Sequence, residues 1–270
     1  MSTTALPDLR APAARRAPAR SVFLPKEHGS WSLALEPIAL GLLVAPSRAG
    51  AALGLAAVAT FLARRPCKAM FTASGPRRRD ARLAFFVFTA LAFAALATAL
   101  VLGRVEHFWP LLPAVPVAVA FGFLDRENQG RTTLAELAGA AAFAVLPVTA
   151  ATLAGWSHPA ALALGAVCLA RSLPTILLVR GFLRARKGAR RAPLLVTVLP
   201  AALAALVLAW LAFASLVPAI VAGFALLLLA RAGLIASPLA RRWSARRVGI
   251  TEAVLGAVFV LTVFLAYRFA

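Results

Sequence analysis

The stretch that decides the fold is PLLVTVLPAALAALVLAWLAFASLVPAIVAGFALLLLA, residues 193–230, which contains no charged residue. About 20 apolar residues at 1.5 Å each allow one α-helix to cross roughly 30 Å of hydrocarbon. This stretch and the residues that follow it therefore predict two membrane-spanning helices, 193–213 and 216–236, joined by a very short turn. Similar apolar segments recur along the whole chain.

The composition supports a membrane protein. Of the 270 residues, 62% are hydrophobic and 14% are charged, and the mean hydropathy is +0.87. Apolar segments predict an all-α, polytopic transmembrane helical bundle of about nine helices. The nine segments cover residues 30–47, 50–71, 82–103, 109–124, 133–155, 159–180, 193–213, 216–236 and 250–268. Arg64, Arg65 and Lys68 interrupt the second segment and are expected to lie on its helix, while prolines in the short fourth segment predict a tilted or irregular helix.

The N-terminal region has a different composition. Residues 1–22 are rich in Ala, Pro and Arg and have no apolar periodicity, so they predict a disordered basic arm before a transmembrane helical domain at 23–270. An organellar transit peptide is the alternative interpretation, but the same Ala and Arg bias runs through the entire chain. No signal-peptide cleavage site stands out, so we expect the first apolar segment to be retained.

The 29 Lys and Arg exceed the 9 Asp and Glu by 20. In a soluble chain this excess would suggest nucleic-acid binding, but here the basic residues cluster in short gaps between apolar segments. Alternate gaps, including the last one with Arg231, hold nearly all of them, and the other side keeps Arg48, Arg104 and Arg268. The positive-inside rule then predicts a multi-pass protein of the bacterial inner membrane with a cytoplasmic N-terminus and no nucleic-acid partner.

The sequence offers little for metal or disulfide chemistry. Cys67 and Cys168 are too few and too far apart for a disulfide framework or a zinc site. The predicted topology puts His28 on the cytoplasmic side and His107 and His158 on the outer side, so no zinc centre can gather them. A cation held by carboxylates stays open as an alternative, with Glu27, Asp125, Glu127, Glu136 and Glu252 as its candidate ligands.

The heptapeptide Pro25-Lys26-Glu27-His28-Gly29-Ser30-Trp31 is the most distinctive motif. It places an acid, a base and an imidazole at the mouth of the first helix, so Glu27 and His28 are candidate catalytic groups. The alternative is a simple helix start, with Ser30 as its cap and Trp31 as an interfacial anchor.

Ionisable residues inside membrane spans are costly and usually functional, which singles out Glu36 and Arg171. Glu36 lies about 12 Å along its helix from His28, and Arg171 about 13.5 Å from Arg180, so the two reach similar depth. They form a neutral buried pair in one interpretation. In the other, a weak internal repeat between residues 61–66 and 168–174 brings Arg64 or Arg65 to the same depth and creates a positive site for an anion.

Two further segments carry ionisable candidates. Glu136 follows the charged gap 125–131 and lies near a helix N-terminus, where the helix dipole alone favours an acid. Glu252 lies at the start of the ninth helix and faces the interior if Gly256 marks a packed side. The complete set of predicted ligand-binding residues is Glu36, Arg64, Arg65, Lys68, Arg126, Glu136, Arg171, Arg180, Arg247 and Glu252.

Three motifs resemble those of the bacterial YwiC-like membrane proteins, over nearly the whole chain. They are the heptapeptide at 25–31, Arg171-Ser172-Leu173-Pro174-Thr175 followed by Val179-Arg180, and Arg247-Val248-Gly249-Ile250-Thr251-Glu252. More distantly, the nine helices and Glu136-Leu137 followed by Phe143 resemble the UbiA superfamily of intramembrane prenyltransferases. That resemblance implies a prenyl diphosphate held through magnesium by aspartate-rich loops after the second and sixth spans.

The chain departs from the UbiA pattern in both loops. The loop after the second span offers only Asp80, behind Arg77, Arg78 and Arg79, and the loop after the sixth offers no carboxylate. Because magnesium prefers carboxylate and phosphate oxygens, no magnesium or other cofactor is predicted. Arginine can instead hold an anion directly through its planar fork.

These observations predict a cytoplasm-facing polar cavity that binds an anionic amphiphile, either an isoprenoid or a lipid head group, within the lipid bilayer. An enzymatic version is a UbiA-like transferase or lipid-modifying enzyme without the aspartate motifs. The alternatives are a membrane transporter and a non-catalytic membrane assembly protein. The near absence of ionisable residues from the outer half disfavours ion transport.

Overall fold

The computed structural model describes residues 28–126, 132–189 and 194–270. In this part of the chain the protein forms nine α-helices, which coincide with the nine apolar segments and confirm the predicted helical bundle. The helices are α1 (His28–Val44), α2 (Arg48–Thr72), α3 (Pro76–Leu102), α4 (Leu111–Arg126), α5 (Thr133–Leu153), α6 (His158–Arg186), α7 (Leu194–Phe213), α8 (Ala219–Ala236) and α9 (Ala245–Phe269). Short 3-10 helices at Val105–Phe108 and Pro238–Arg242 precede α4 and α9. The arm predicted at 1–22 lies outside the described residues.

Six helices of the described part are long and apolar enough to cross a membrane: α3, α5, α6, α8, α9 and the Val196–Phe213 part of α7. Helices α1 and α4 contain shorter apolar segments, Ala34–Val44 and Leu111–Ala120. As predicted, α2 continues through its three basic residues to Thr72.

Polar side chains and glycine define where helices begin. The Ser47 hydroxyl accepts a hydrogen bond from Gly50 N–H at 2.9 Å at the start of α2, and Ser244 accepts one from Arg247 N–H at 3.1 Å at the start of α9. Between α2 and α3, Gly75 has φ +59°, which glycine adopts without a Cβ penalty. The connections therefore follow from local sequence.

Six helices pack side by side in a closed circuit. Along it α9 contacts α1, α1 contacts α5, α5 contacts α6, α6 contacts α7, α7 contacts α8, and α8 returns to α9. Helix α6 also contacts α8 within the circuit. Helices α2 and α3 form a closely packed pair beside α1 and α5, and α4 packs on α5. The first and last helices of the described chain are therefore neighbours.

Small residues allow the close packing of α5 with its two neighbours. A Cβ on Gly41 of α1 would lie 3.1 Å from Pro147 Cα of α5, and a Cβ on Gly165 of α6 would lie 3.3 Å from Ala144 O of α5. Of the three clusters of buried apolar side chains in the described residues, two lie along the circuit of six helices. The larger includes Leu40, Val148, Leu164, Val167, Phe259 and Val263, and the smaller includes Leu178, Phe182, Ala201, Ala232, Ile235 and Val248.

Candidate functional site

Four charged side chains meet in a polar layer between the two apolar clusters. They come from four helices: Glu36 from α1, Arg171 from α6, Arg231 from α8 and Glu252 from α9. We call them the quartet. Arg171, Arg231 and Glu252 are buried, and the side chain of Glu36 is only 16% exposed. The quartet thus joins helices that are far apart in sequence.

Arg171 bridges the two acids. Its Nε lies 3.8 Å from Glu36 Oε2, and its Nη1 lies 3.5 Å from Glu252 Oε2. Its Nη2 also donates a hydrogen bond to the main-chain oxygen of Glu252 at 3.0 Å. One guanidinium therefore uses several of its donors to hold α1 and α9 against α6.

Arg231 completes the contacts of Glu252. Its Nε lies 2.9 Å from Glu252 Oε1, and its Nη1 donates to the Thr175 hydroxyl at 3.3 Å. Thr175 also accepts a hydrogen bond from Arg171 Nη1 and donates its own proton to the Arg171 carbonyl oxygen at 2.7 Å. The Nη2 atom of Arg231 is buried and has no hydrogen-bond partner among the described residues.

Glu36 is positioned from two sides. On its own helix, the Ser32 hydroxyl donates a short hydrogen bond to Glu36 Oε1. On α9, Gly256 faces the carboxylate so closely that a Cβ at this position would overlap it. This arrangement agrees with the expectation that Glu252 and Gly256 lie on the same interior face of α9.

The formal charges of the quartet sum to zero. Burial of an ion in a low-dielectric interior is costly unless the ion is paired. The pairing of two arginines with two glutamates therefore offsets the cost of burying these four charges. Both acids contact Arg171, whereas the sequence suggested Glu36 alone. Arg64 and Arg65 lie on α2, which is not one of the four helices that contribute the quartet.

A recess between α6, α7 and α8 adjoins the quartet. Its polar end consists of Arg171, Thr175 and Arg231. The rest of its wall is apolar, with Ala201, Ala204, Ala205 and Leu208 from α7 and Ala225 and Leu228 from α8. The space not filled by protein atoms is about 300 Å³, including the open mouth. The two arginines therefore meet an apolar hollow on the side away from Glu36.

Two other predicted ligand-binding residues pair with each other. Arg180 Nη1 of α6 lies 2.8 Å from Glu136 Oε1 of α5, and these side chains are 20% and 31% exposed. Arg180 is nine residues beyond Arg171, about 13.5 Å along the helix. This pair is therefore a separate contact near the end of α6.

The remaining predicted residues lie elsewhere. Arg247 is exposed and stacks on the Trp243 ring, with its Cζ 4.6 Å from the ring centroid. Lys68, like Arg64 and Arg65, is half-buried on α2. Glu27 lies outside the described residues, as do the side chains of His28 and Arg126. In the described part of the chain, no three His, Cys, Asp or Glu residues come together as a metal site.

The sequence prediction missed Arg231 and Thr175. Counting Arg231 with the basic residues of a cytoplasmic gap was wrong, because it is 7% exposed within α8. The apolar residues on both sides of it, Leu226–Ala230 and Leu234–Ile235, were the available signal. Thr175 lies in one of the three motifs, but a single hydroxyl carries no charge pattern, so the sequence assigns it no role.

An all-α bundle with six helices able to cross a bilayer and a paired charged layer in its interior defines a polytopic membrane protein. Residues 24–151 match the model of the YwiC-like protein family, which confirms the predicted resemblance for this segment and its heptapeptide at 25–31. The motifs at 171–180 and 247–252 lie beyond the matched segment. Glu36 falls within the matched segment, whereas Arg171, Arg231 and Glu252 follow it. No curated protein and no solved structure matches the chain, and the resemblance to the UbiA scaffold stays a prediction.

Proposed function

We propose that this membrane protein binds an anionic amphiphile, with the head group at Arg171 and Arg231 and the apolar chain in the recess between α6, α7 and α8. The observation that carries the proposal is the buried Nη2 of Arg231, which has no hydrogen-bond partner among the described residues and belongs to a side chain lining the recess. A buried donor without an acceptor is costly, and an anionic oxygen would satisfy it.

The chemistry of the recess supports this class of ligand. A guanidinium matches carboxylate and phosphate oxygens, and its hydrogen bonds to charged acceptors are strong. Alanine and leucine walls offer nothing to a polar ligand but suit a hydrocarbon chain.

The bilayer is the expected source of the ligand. Helix α7 exposes Leu203, Leu206 and Trp210 on its surface, so one helix separates the recess from surrounding lipid. An isoprenoid phosphate and a lipid head group share the chemistry that these arginines recognise. In the proposed orientation, with the N-terminus in the cytoplasm of a bacterium, the quartet lies in the cytoplasmic half of the inner membrane.

The contact that we propose is direct, without magnesium. Among the described residues, Glu36 and Glu252 are already engaged by arginines and form no metal cluster. A transferase or lipid-modifying step at this site would need an acid or base, and Glu27 and His28 stay the candidates for it. Binding is therefore the proposed function. A catalytic step would in addition require Glu27 or His28 to act as acid or base.

The experiment is lipid extraction and mass spectrometry of protein purified in a neutral detergent. Ala204→Leu fills the recess without changing any charge, and Ala209→Leu adds the same side chain at an exposed position of α7. We expect an anionic amphiphile to co-purify with the wild type and with Ala209→Leu, and to be lost from Ala204→Leu. Equal retention by both variants would contradict the proposed site.

A purely structural role is the second candidate, and one observation favours it. Each member of the quartet faces an opposite charge, so the layer can hold α1, α6, α8 and α9 together without any ligand. That role predicts no anionic amphiphile bound to the wild type and no effect of recess filling on co-purified lipid. The same extraction experiment therefore separates the two candidates.

A further inference from the structure

We infer that binding of an anion at the quartet is coupled to uptake of one proton by Glu252. This inference rests on the proposed function and adds a regulation to the same site. The observations that carry it are the zero formal charge of the quartet, its burial, and the position of Glu252 on the arginine that lines the recess.

The net charge of the quartet changes when an anion binds. Two arginines and two glutamates leave no net charge to attract an anion, and a singly charged head group would bring the layer to a net charge of minus one. An uncompensated charge in a membrane interior is costly. Neutrality returns when one of the two carboxylates takes up a proton together with the anion.

Of the two carboxylates in the quartet, Glu252 is the one that an incoming anion displaces. Glu252 Oε1 lies 2.9 Å from Arg231 Nε, so Glu252 competes directly with a head group for Arg231. Glu36 lies on the other side of Arg171, at 3.8 Å, and already accepts a hydrogen bond from Ser32. The anion therefore displaces the carboxylate of Glu252 and not that of Glu36.

Once the anion has displaced it from Arg231, Glu252 has surroundings that favour its protonated form. The charged groups that face it are Arg231 from α8, Arg171 from α6 and Glu36 from α1. From the α7 side, the recess presents only alanine and leucine. When the arginines turn to the anion, Glu252 is left in an apolar layer beside a second carboxylate, and both conditions favour its neutral form.

The exchange is balanced in atoms and charge. One anion enters, one proton arrives from the aqueous phase, and an O–H bond forms on the Glu252 carboxylate. The ion pair between Glu252 and Arg231 breaks, and an ion pair between Arg231 and the anion replaces it. Release of the anion reverses each change and returns the proton.

The test is isothermal titration of the purified protein with dihexanoyl phosphatidylglycerol, whose single phosphodiester charge is constant near neutral pH. Titrations in buffers of different ionisation enthalpy give the number of protons bound with each lipid. We expect about one proton per lipid near pH 7, and a Kd that rises about tenfold for each pH unit. Dihexanoyl phosphatidylcholine, which has no net charge, is the control lipid.

Glu252→Gln removes the proposed proton acceptor, and Glu106→Gln, at an exposed acid paired with Arg104, is the matched control. Glu252→Gln should bind the anionic lipid without proton uptake and with a Kd independent of pH, whereas Glu106→Gln should behave as the wild type does. Uptake that persists in Glu252→Gln would overturn the role of Glu252. If Glu252→Gln does not fold, the proton count of the wild type still decides the coupling.

The outcomes separate the two proposals. Binding of phosphatidylglycerol by the wild type without proton uptake would overturn the coupling and leave the amphiphile site intact. No binding of phosphatidylglycerol would contradict the proposed function and the coupling together. Dimethyl phosphate, whose single charge is also constant near neutral pH, would reassign the site to a free anion if it binds as tightly as the lipid, and its proton count would still test the coupling.

Discussion

Gly256 of α9 lies directly against the Glu36 carboxylate of α1, in space that any Cβ would occupy. The contact places an acid where α1 and α9 meet, and α9 brings Glu252 to the same layer four residues earlier. Because the two acids approach Arg171 from different helices, the geometry of the quartet depends on how closely α1 and α9 pack. A glycine that carries no chemistry thus positions a charged group.

Gly256→Ala should therefore lower stability even though alanine favours a helix. Its methyl group would push Glu36 away from Arg171, and overpacking of this kind costs about 1 to 3 kcal/mol. Gly249→Ala on the same helix is the matched control, because nothing lies within 4 Å of its Cβ position. It should be neutral or stabilising by up to about 1 kcal/mol. Thermal unfolding in detergent measures both, and an equal Tm for the two variants would contradict the contact.

Glu252→Gln should leave an excess positive charge in the buried layer. Breaking a buried ion pair on one side costs about 3 to 5 kcal/mol, whereas Glu136→Gln breaks a partly exposed pair and should cost about 0 to 1 kcal/mol. Tm in neutral detergent compares the two. Added phosphatidylglycerol should raise the Tm of Glu252→Gln more than that of the wild type, because the anion supplies the missing negative charge. A loss no larger than that of Glu136→Gln would argue against a tightly buried quartet.

Arg171→Lys should weaken the site although it keeps the charge. Arg171 contacts the carboxylate of Glu36, the carboxylate and the main-chain oxygen of Glu252, and the hydroxyl of Thr175. A single ammonium group cannot reach all of these acceptors. Arg104→Lys is the control, since Arg104 lies outside the quartet and its ion pair with Glu106 is exposed. We expect lower Tm and lost lipid retention only for Arg171→Lys. Unchanged retention in Arg171→Lys would show that charge alone suffices.

The double variant Glu36→Gln with Arg171→Gln tests whether the quartet only stabilises the fold. It removes one acid and one base, and it leaves Arg231 paired with Glu252 at 2.9 Å. The charges stay balanced, so we expect the double variant to fold better than either single variant, with a coupling energy of about 0.5 to 3 kcal/mol. It should nevertheless fail to retain the amphiphile. Full recovery of retention would assign Arg171 a structural role alone.

The predicted orientation can be tested by reporter fusions. Gly75 and Gly188 lie at exposed turns with positive φ, where an insertion disturbs no helix interior. Fusions there should report the cytoplasm, and fusions at Val105 or Ser157, at the opposite helix ends, should report the periplasm. Reversed signals at either pair would overturn the orientation.

Much of the bundle follows from composition along the chain. Apolar length alone located the nine helices, and the rise of 1.5 Å per residue placed Glu36 and Arg171 at matching depth. Depth says nothing about which helices are neighbours, because that depends on side-chain packing around the whole circuit. The sequence therefore suggested Arg64 or Arg65 as a second cation beside Arg171, but it did not reveal that Arg171 contacts Glu252 and shares Thr175 with Arg231.

Charge patterns misled the prediction for Arg231 for a physical reason. Basic residues at the ends of spans usually belong to the loops, and Arg231 lies only five residues before the end of α8. Its burial becomes favourable only through Glu252, a residue on the next helix. Such a residue is recognisable from sequence only when its partner is known.

Because α1 and α9 are the first and last helices of the described chain, the charged layer has a consequence for biosynthesis. Glu36 enters the bilayer long before the ribosome has produced Glu252, and Arg171 follows at an intermediate time. Until α9 inserts, the nascent protein holds Arg171 and Arg231 against a single carboxylate, a state with surplus charge inside the membrane. We therefore expect insertion of α9 to be the step that neutralises this layer, because it brings the second carboxylate to the two arginines.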